Sequence, residues 1–492
     1  MCIVSAPATV VRLICLCLQP LLIVLAGRLI MLPDDVLLHI FHFVRVAYLD
    51  RPRTIDPGWR LSWWHRLVHV SQRWRSVVFE SPNFLDLRLI CDPWTRVELT
   101  GIWPPLPIIL RNMVNSPMPE DYDFDAAIVH HNRVREINLL YITNSQLQRL
   151  ASAMQEQFPA LIHLRLDGDY NHPVPALSDG FLGGTAPHLR HLELYSISFP
   201  ALPKLLLSAT DLVHLRIWKI PHSGYFSPEA IVTALAVLPS LESLTIRFES
   251  PLSCPNRGRR HSPSPTRIVL PALTRFVFKG VSEYLEDLVA RIDAPMLDSI
   301  RITFFHQLTF DIPQLALFTR RTTRFQALNE AHLHFGDSGV QVDSLPPTRT
   351  FVGLRIACRE LDWQLSSLAQ VFTPFIPSIY MVEHLYIYGR RNLSPHWQDD
   401  IENMQWLEIF YPFTSVKNLY VSKKFARCIA PALKDAGGRL TDVLPTLERL
   451  FMEELEPLGP IHEAIGQFVA ARNLLGRPVS VFQWNRPRLR RF

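Results

Sequence analysis

One short pattern recurs along most of this chain, and it restricts the fold more than any other feature. The pattern is apolar-x-x-apolar-x-apolar. It starts at Val134, Leu161, Leu189, Leu212, Leu241, Leu273, Leu297, Leu328, Phe351, Val382, Val416 and Leu447. By subtraction, successive starts lie 23 to 34 residues apart, with a mean of about 28, within the period of about 20–50 residues that marks stacked-repeat architectures. The alternation within each copy is that of a short half-buried strand. Helix-compatible stretches lie between copies, at 146–157, 227–238, 282–292 and 463–474. A return to a parallel strand needs about a dozen intervening residues, which these intervals supply. One copy cannot bury its own apolar side, so the copies must stack. The expected class is therefore α/β, with residues 134–492 wound as an irregular solenoid around a curved parallel sheet.

Composition removes several alternatives. The chain has 492 residues, 48% of them hydrophobic, ample for a buried core. Its 40 prolines outnumber 19 glycines, whereas phosphate-cradling α/β enzymes need glycine where backbone approaches ligand closely. A formal net charge of +5 is too small to indicate nucleic acid, which calls for clustered charge. The cysteines, Cys2, Cys15, Cys17, Cys91, Cys254, Cys358 and Cys428, are odd in number and contain no CxxC pair. Isolated thiols fit a reducing compartment, cytoplasmic or nuclear, and provide no zinc spacing.

The amino end divides into two stretches. Residues 10–30 are largely apolar, but Arg12 and Arg28 leave only 15 residues between them, short for a membrane span. No basic residue precedes Arg12, which weakens a secretory reading. Residues 1–30 are expected to be an extension outside the fold, with no membrane contact; a signal or anchor is the rival reading. Residues 32–44, LPDDVLLHIFHFV, read as a helix. Pro33 suits its first turn, Asp34 and Asp35 suit its positive end, and Leu37, Ile40, Phe41 and Val44 share a face. A second amphipathic stretch, 63–78, aligns Leu67, Val70, Trp74 and Val77, before Ser81-Pro82-Asn83 breaks it.

The order LPDDVLLHIF, VSQRWRSVVF, SPNFLDLRL over residues 31–90 resembles the F-box, in particular that of F-box proteins from mushroom-forming fungi. The repeats resemble the irregular leucine-rich repeats often attached to F-boxes. The resemblance implies a small helical module that docks on a Skp-type adaptor and, through it, a cullin. Leu32, Pro33, Leu37, Ile40 and Phe41 would then contact the adaptor, while Leu67, Val70, Trp74 and Val77 would pack the helices and complete that surface. Two departures stand out: a long 45–62 connection with Pro52, Pro57 and Gly58, and Phe84-Leu85 where the family often has Leu-Trp. Residues 91–133 read as a connecting segment.

Within the repeats, positions two, four and six after each start are expected on the concave side. Position four supplies Arg165, Arg216, Arg301, Arg355, Tyr386, Tyr420 and Phe451; position six adds Trp218, Arg247, Lys279 and Tyr388. Arginine, tyrosine and tryptophan are enriched at protein interfaces, so this side is the candidate surface for a protein substrate carrying acidic or phosphorylated segments. The competing reading is an ordinary solvated sheet face. His163, His191 and His214 share one position and would form a ladder, with no cysteine or carboxylate to complete a metal site. His65 and His69 are spaced i, i+4 without the glutamate of a metalloprotease motif. Residues 250–266, rich in Pro, Ser and Arg, read as a loop insertion whose Ser262 and Ser264 precede proline. The chain ends on a basic tail, Arg486 to Phe492.

No GxSxG, Walker, GxGxxG or HExxH motif occurs, so no catalytic residue, cofactor or metal is expected. The expected function is substrate recognition for a Skp–cullin–F-box type ubiquitin ligase. The rivals are a repeat scaffold without a ligase and, more remotely, a hydrolase on the same frame.

Overall fold

The computed structural model describes residues 32–49, 63–91, 105–112, 125–168, 175–253, 267–326, 329–345, 350–376, 379–389, 403–434, 442–453 and 459–484. The 1–30 extension, most of the 250–266 insertion and the basic tail lie outside them. The described chain is mixed α/β and forms two compact units. One holds the residues up to Asp167 with Gly180–Gly183; the other holds the rest.

The first unit opens with helices α1 (Asp34–Leu49), α2 (His65–Val68) and α3 (Gln72–Glu80). Pro33 accepts the Leu37 amide, starting α1 where expected. The 63–78 stretch is not one helix. The Ser71 hydroxyl accepts from the Trp74 amide and restarts the chain as α3, so Leu67 lies in α2, Val70 between the helices, and Trp74 and Val77 in α3. Then follow β1 (Leu89–Cys91), β2 (Ile108–Arg111), α4 (Asp125–Ile128), β3 (Val134–Ile142), α5 (Asn144–Ala153) and β4 (His163–Gly168). The strands run in the order β1-β2-β3-β4, with β1 and β3 both parallel to β2. Strand structure thus begins inside 31–90, and 91–133 contributes a strand as well as a connection. Thr143 and Gln146 form a reciprocal capping box at the start of α5.

In the second unit, β5 (His191–Tyr195), α6 (Leu202–Leu206), β6 (His214–Ile220), α7 (Pro228–Leu235), β7 (Ser243–Phe248), β8 (Ile268–Val269) and β9 (Arg275–Gly280) come first. Next are α8 (Ser282–Val289), β10 (Ile292–Asp293), β11 (Ser299–Phe305), α9 (Pro313–Arg321), β12 (Glu330–Gly336), β13 (Gly339–Leu345) and β14 (Phe351–Ala357). The unit closes with α10 (Leu361–Phe375), β15 (His384–Gly389), α11 (Asn403–Phe410), β16 (Asn418–Val421), α12 (Lys423–Lys434), β17 (Arg449–Met452), α13 (Pro460–Leu474) and β18 (Ser480–Gln483). Each copy of the sequence pattern ends on a strand; Leu328, where one copy starts, lies outside the described residues.

Strand burial alternates, as in β12, where Ala331, Leu333 and Phe335 are enclosed and His332 and His334 are not. Phe276, Phe278, Ile300, Ile302, Phe304, Leu354, Ile387, Leu419 and Leu450 line the inner side, all nearly or fully buried. Each such side chain stabilises the fold by about 1.5–3 kcal/mol over its exposed state. Arg472 on α13 is also enclosed and donates to the carbonyls of Pro445 and Leu447, tying α13 to the approach to β17.

The strand order departs from simple stacking. It reads β5-β6-β7-β9-β11-β14-β13-β12-β15-β16-β17-β18. The chain skips two places after β11, lays down β12, folds back as β13, and fills the gap with β14. β13 is antiparallel to both neighbours, while β11 and β14 are parallel. The sheet is therefore mostly, not wholly, parallel. The short β8 and β10 form a separate parallel pair.

The reversal turns on Gly339, whose φ is +146° and whose missing Cβ would run into the Ile356 backbone. Gly336, at the other side of the turn, has ordinary φ and only the Gly339 carbonyl nearby. Gly339→Ala should therefore destabilise the protein by about 1–3 kcal/mol or more, and Gly336→Ala by clearly less. Thermal or urea unfolding of the two variants checks this; equal effects would contradict it.

Candidate functional site

The second unit carries a continuous row of residues on the sheet side opposite its buried core. Strand register sets the row: Arg216, Thr245, Val277, Arg301, Gly353, Asp343, His332, Tyr386, Tyr420, Phe451 and Phe482 are successive partners on adjacent strands. The next row contains Arg247, Lys279, Thr303, Arg355, Gln341, His334 and Tyr388. Paired residues on neighbouring strands share a face, so side chains far apart in sequence become neighbours.

One end is an aromatic ladder. His332 stacks on Tyr386 at 4.4 Å, Tyr386 on Tyr420 at 4.2 Å, Tyr420 on Phe451 at 4.4 Å, and Phe451 on Phe482 at 5.3 Å, with the first three nearly coplanar in orientation. Trp484 meets Tyr420 edge-on at 5.5 Å. Each such contact adds about 0.5–1.5 kcal/mol beyond area burial. Because the rings face one another, they turn edges and polar tips outward. Burial, and then the adjacent Tyr420, raise the Tyr386 phenol above its usual range.

The middle is cationic. Arg247 lies over Trp218 at 4.6 Å, Lys279 over Phe305 at 4.9 Å, and Arg301 over Phe351 at 4.7 Å. Arg216 pairs with Glu193 at 3.1 Å, and Arg355 donates to the Ser338 hydroxyl at 2.7 Å. Burial lowers the Lys279 ammonium; Arg247, Arg355 and Lys219 lower it further, against a raising effect of Glu249. Burial likewise lowers Arg247, with Arg301 and Arg355 adding to the effect and Tyr195 opposing it. Asp343 is pushed up by burial, which weakens it as a neutralising charge, although Gln341 and Arg301 pull the other way. Gly353 leaves room beside Arg301 for the Phe351 ring, which an added Cβ would strike.

Several expected surface residues fall elsewhere. Arg355 is not level with Arg301. β14 is displaced by two residues relative to the repeat pattern, so Arg355 pairs with Thr303 and Arg301 pairs with Gly353. Tyr388 is buried, with its hydroxyl 3.4 Å from His332 Nδ1, so it supports the ladder from within. Arg165 belongs to the first unit and does not join this group. Arg216, Trp218, Arg247, Arg301, Tyr386 and Tyr420 do belong together. The sequence pattern did not disclose Gln341 or Asp343 as part of the surface, whereas Gly353 was legible as position two of its repeat. Arg275 was legible as position two of its repeat, and Trp484 follows β18, which matched no copy. Of the three histidines expected to form a ladder, His191 lies against His214 at 4.8 Å, and His163, in the first unit, approaches Glu136 at 3.7 Å. Among the described residues, no group of three or more His, Cys, Asp or Glu side chains could hold a metal, and no helix is long and apolar enough to cross a membrane.

In the first unit, α1 has two apolar stripes. Leu37 and Phe41 turn inward, where Phe41 meets Trp74 at 4.9 Å, and Val77 is enclosed with them. Trp74 and Val77 thus pack the helices, one of the two roles expected of them, whereas Leu37 and Phe41, expected at a partner surface, are enclosed. Leu32, Ile40, Leu67 and Val70 are half-buried and Pro33 is exposed. The outward stripe is instead Val36, Ile40 and Phe43, with Phe43 68% exposed, beside an exposed Phe84. Arg73 clamps the start of α1 through Asp34, and Asp86 accepts from Arg45 and Arg88. Burial, followed by His69, lowers the His65 imidazole to about 4, so it is neutral where the fold is usually handled.

No family model matches the sequence, and no curated protein matches it.

The electrostatics of the cationic rows can be read chemically. A lowered ammonium is more often the free, nucleophilic amine. Lys417 is raised by its 2.9 Å hydrogen bond to Glu383. Both lysines are half-buried. Under limiting acylating reagent at mildly alkaline pH, Lys279 should react ahead of Lys417, and Arg355→Gln should slow it by removing a like charge. Peptide mass spectrometry reads the outcome, and faster labelling of Lys417 would contradict it.

Proposed function

We propose that this protein is a substrate-recognition subunit of a Skp–cullin–F-box type ubiquitin ligase. The first helices dock on the adaptor, and the sheet face of the second unit, a leucine-rich-repeat-like solenoid, holds an acidic or phosphorylated segment of a protein substrate. The observation that carries the reading is the second unit's face, where a cationic patch and an aromatic ladder lie in the same rows. That combination suits protein capture: arginine, tyrosine and tryptophan anchors supply much of the affinity at interfaces. The protein performs no ubiquitin transfer in this reading. It raises the effective concentration of substrate at another subunit.

The adaptor half of the proposal rests on the resemblance of residues 31–90 and on the outward stripe Val36, Ile40 and Phe43. An exposed apolar stripe on a helix is a common docking element. The inward position of Leu37 and Phe41 favours a second reading, a repeat scaffold with no ligase, in which the helices serve as a cap on the fold.

The full-length chain, mixed with a Skp-type adaptor and a cullin, should retain both on affinity capture. Phe43→Asp should abolish retention while leaving the unfolding temperature within a few degrees of the parent, because Phe43 packs little against its own chain. Alanine at Leu37 or Phe41 would confound the test by opening the helical core. Failure of the unaltered chain to retain adaptor contradicts the ligase reading and leaves the scaffold.

A further inference from the structure

We infer that the open edge of β18 is a self-association seam. Two copies of this chain join β18 to β18, antiparallel about a two-fold axis at Phe482, so that their sheets and their aromatic ladders become continuous. The inference is independent of the proposed ligase role, since it uses neither the helices of the first unit nor the cationic rows.

The edge follows from the hydrogen-bond pattern. β18 ends the sheet, and among the described residues its one strand neighbour is β17, to which it runs parallel. In a parallel ladder, alternate residues turn both backbone groups to the same neighbour. The Ser480 and Trp484 amides donate to the carbonyls of Glu448 and Met452, so Ser480, Phe482 and Trp484 address β17. The N–H and C=O groups of Val481 and Gln483 therefore point to the open edge. Folded proteins blunt such edges with charge, proline or a bulge along the strand. Arg477 and Pro478 stand just before β18, but Ser480–Gln483 contains neither a charge nor a proline, and its pairing with β17 runs without a shift in register.

The same residues say what fits the edge. An antiparallel copy brings Val481 opposite Gln483 of the second copy, and Gln483 opposite its Val481, so each pair exchanges two hydrogen bonds and every open backbone group is used. The axis then falls on Phe482, at a non-hydrogen-bonded position, where facing Cα atoms approach to about 4.5 Å and side chains share a face. A residue on a two-fold axis meets its own counterpart. A charge there would repel itself, whereas a ring meets a ring. Phe482 is 45% exposed and stacks on Phe451 from one side at 5.3 Å. Trp484 turns back along the ladder to Tyr420 and Tyr386, away from the edge. Beside the axis small faces large, with Ser480 against Trp484 of the second copy. The helix before the edge adds to the same picture. α13 leaves Gly466, Ala470 and Leu474 exposed, Leu474 at 90%, where the last repeat of a stack normally presents a polar outer face.

Sedimentation velocity on the full-length chain should show a monomer–dimer equilibrium at micromolar protein. Phe482→Lys sets a charge against its own copy and should weaken dimerisation at least about tenfold. Leu308→Lys, which changes a 73% exposed side chain elsewhere in the unit, should leave it unaltered. Phe482→Cys tests the register. Mild oxidation should link two copies through a 482–482 disulfide, because the facing Cα atoms are within reach. Ser480→Cys should give no 480–480 link, because those positions would lie about 14 Å apart along the strands. Peptide mapping identifies the links, and unfolding temperatures close to the parent's show that the variants are folded. A monomer at every concentration would overturn the inference, whether residues 485–492 or a strand of another protein then covers the edge. Equal losses in Phe482→Lys and Leu308→Lys would overturn it as unspecific association, and a 480–480 link in place of the 482–482 link would overturn the pairing.

Discussion

Backbone hydrogen bonding between neighbouring strands in fixed register is the constraint on which the second unit depends. A strand that slipped by one residue would turn its apolar side chains outward and its charges inward. Phe276, Ile300, Ile302 and Leu354, all buried, hold β9, β11 and β14 against such a slip. Once the inner side is fixed, the outer side has no freedom left. Arg301 must face Gly353, and Lys279 must face Thr303. The surface chemistry is thus a by-product of core packing: rows of side chains drawn from segments tens of residues apart.

That ordering separates two materials on one face. Toward β5, cations lean on rings and repel one another. Toward β18, rings stack on rings. The boundary falls at β13 and β14, where Gly353 supplies no side chain and Asp343 is a half-buried carboxyl held by Gln341. A bound segment crossing the strands would meet charge first and aromatic edges next. The first unit is a different kind of object. Its inner stripe, Leu37 and Phe41 against Trp74, builds a small core, and its outer stripe leaves Val36 and Phe43 in water.

Much of this was legible in the sequence, because the strand pattern is local. Six-residue alternation located the strands from β3 to β17 that carry the repeats, and four helical stretches were found to within a few residues. The misses share a cause: they depend on contacts far away in sequence. Nothing local in GVQVDSL says that β13 will lie between β12 and β14, so the misplacement of Arg355 by one row followed. Tyr388 alternates like a surface residue and is nevertheless buried, with His332 and His334 edge-on to its ring. In α1, Leu37, Ile40 and Phe41 look equivalent by spacing; only the arrival of Trp74 decides which are core. Ser71 was visible as a cap-forming residue inside the 63–78 stretch, yet periodicity alone read across it.

β14, and not the next strand in the chain, lies beside β11. Disulfide trapping tests it directly, because a cross-link forms only when Cα atoms approach to about 4.4–6.8 Å. The double variant Thr303→Cys/Arg355→Cys is compared with Thr303→Cys/His334→Cys, the pair that chain-order stacking would bring together. After mild oxidation and peptide mapping, the 303–355 cross-link should form readily and the 303–334 cross-link should not. The opposite result would contradict the strand order, and with it the assembly of the cationic row.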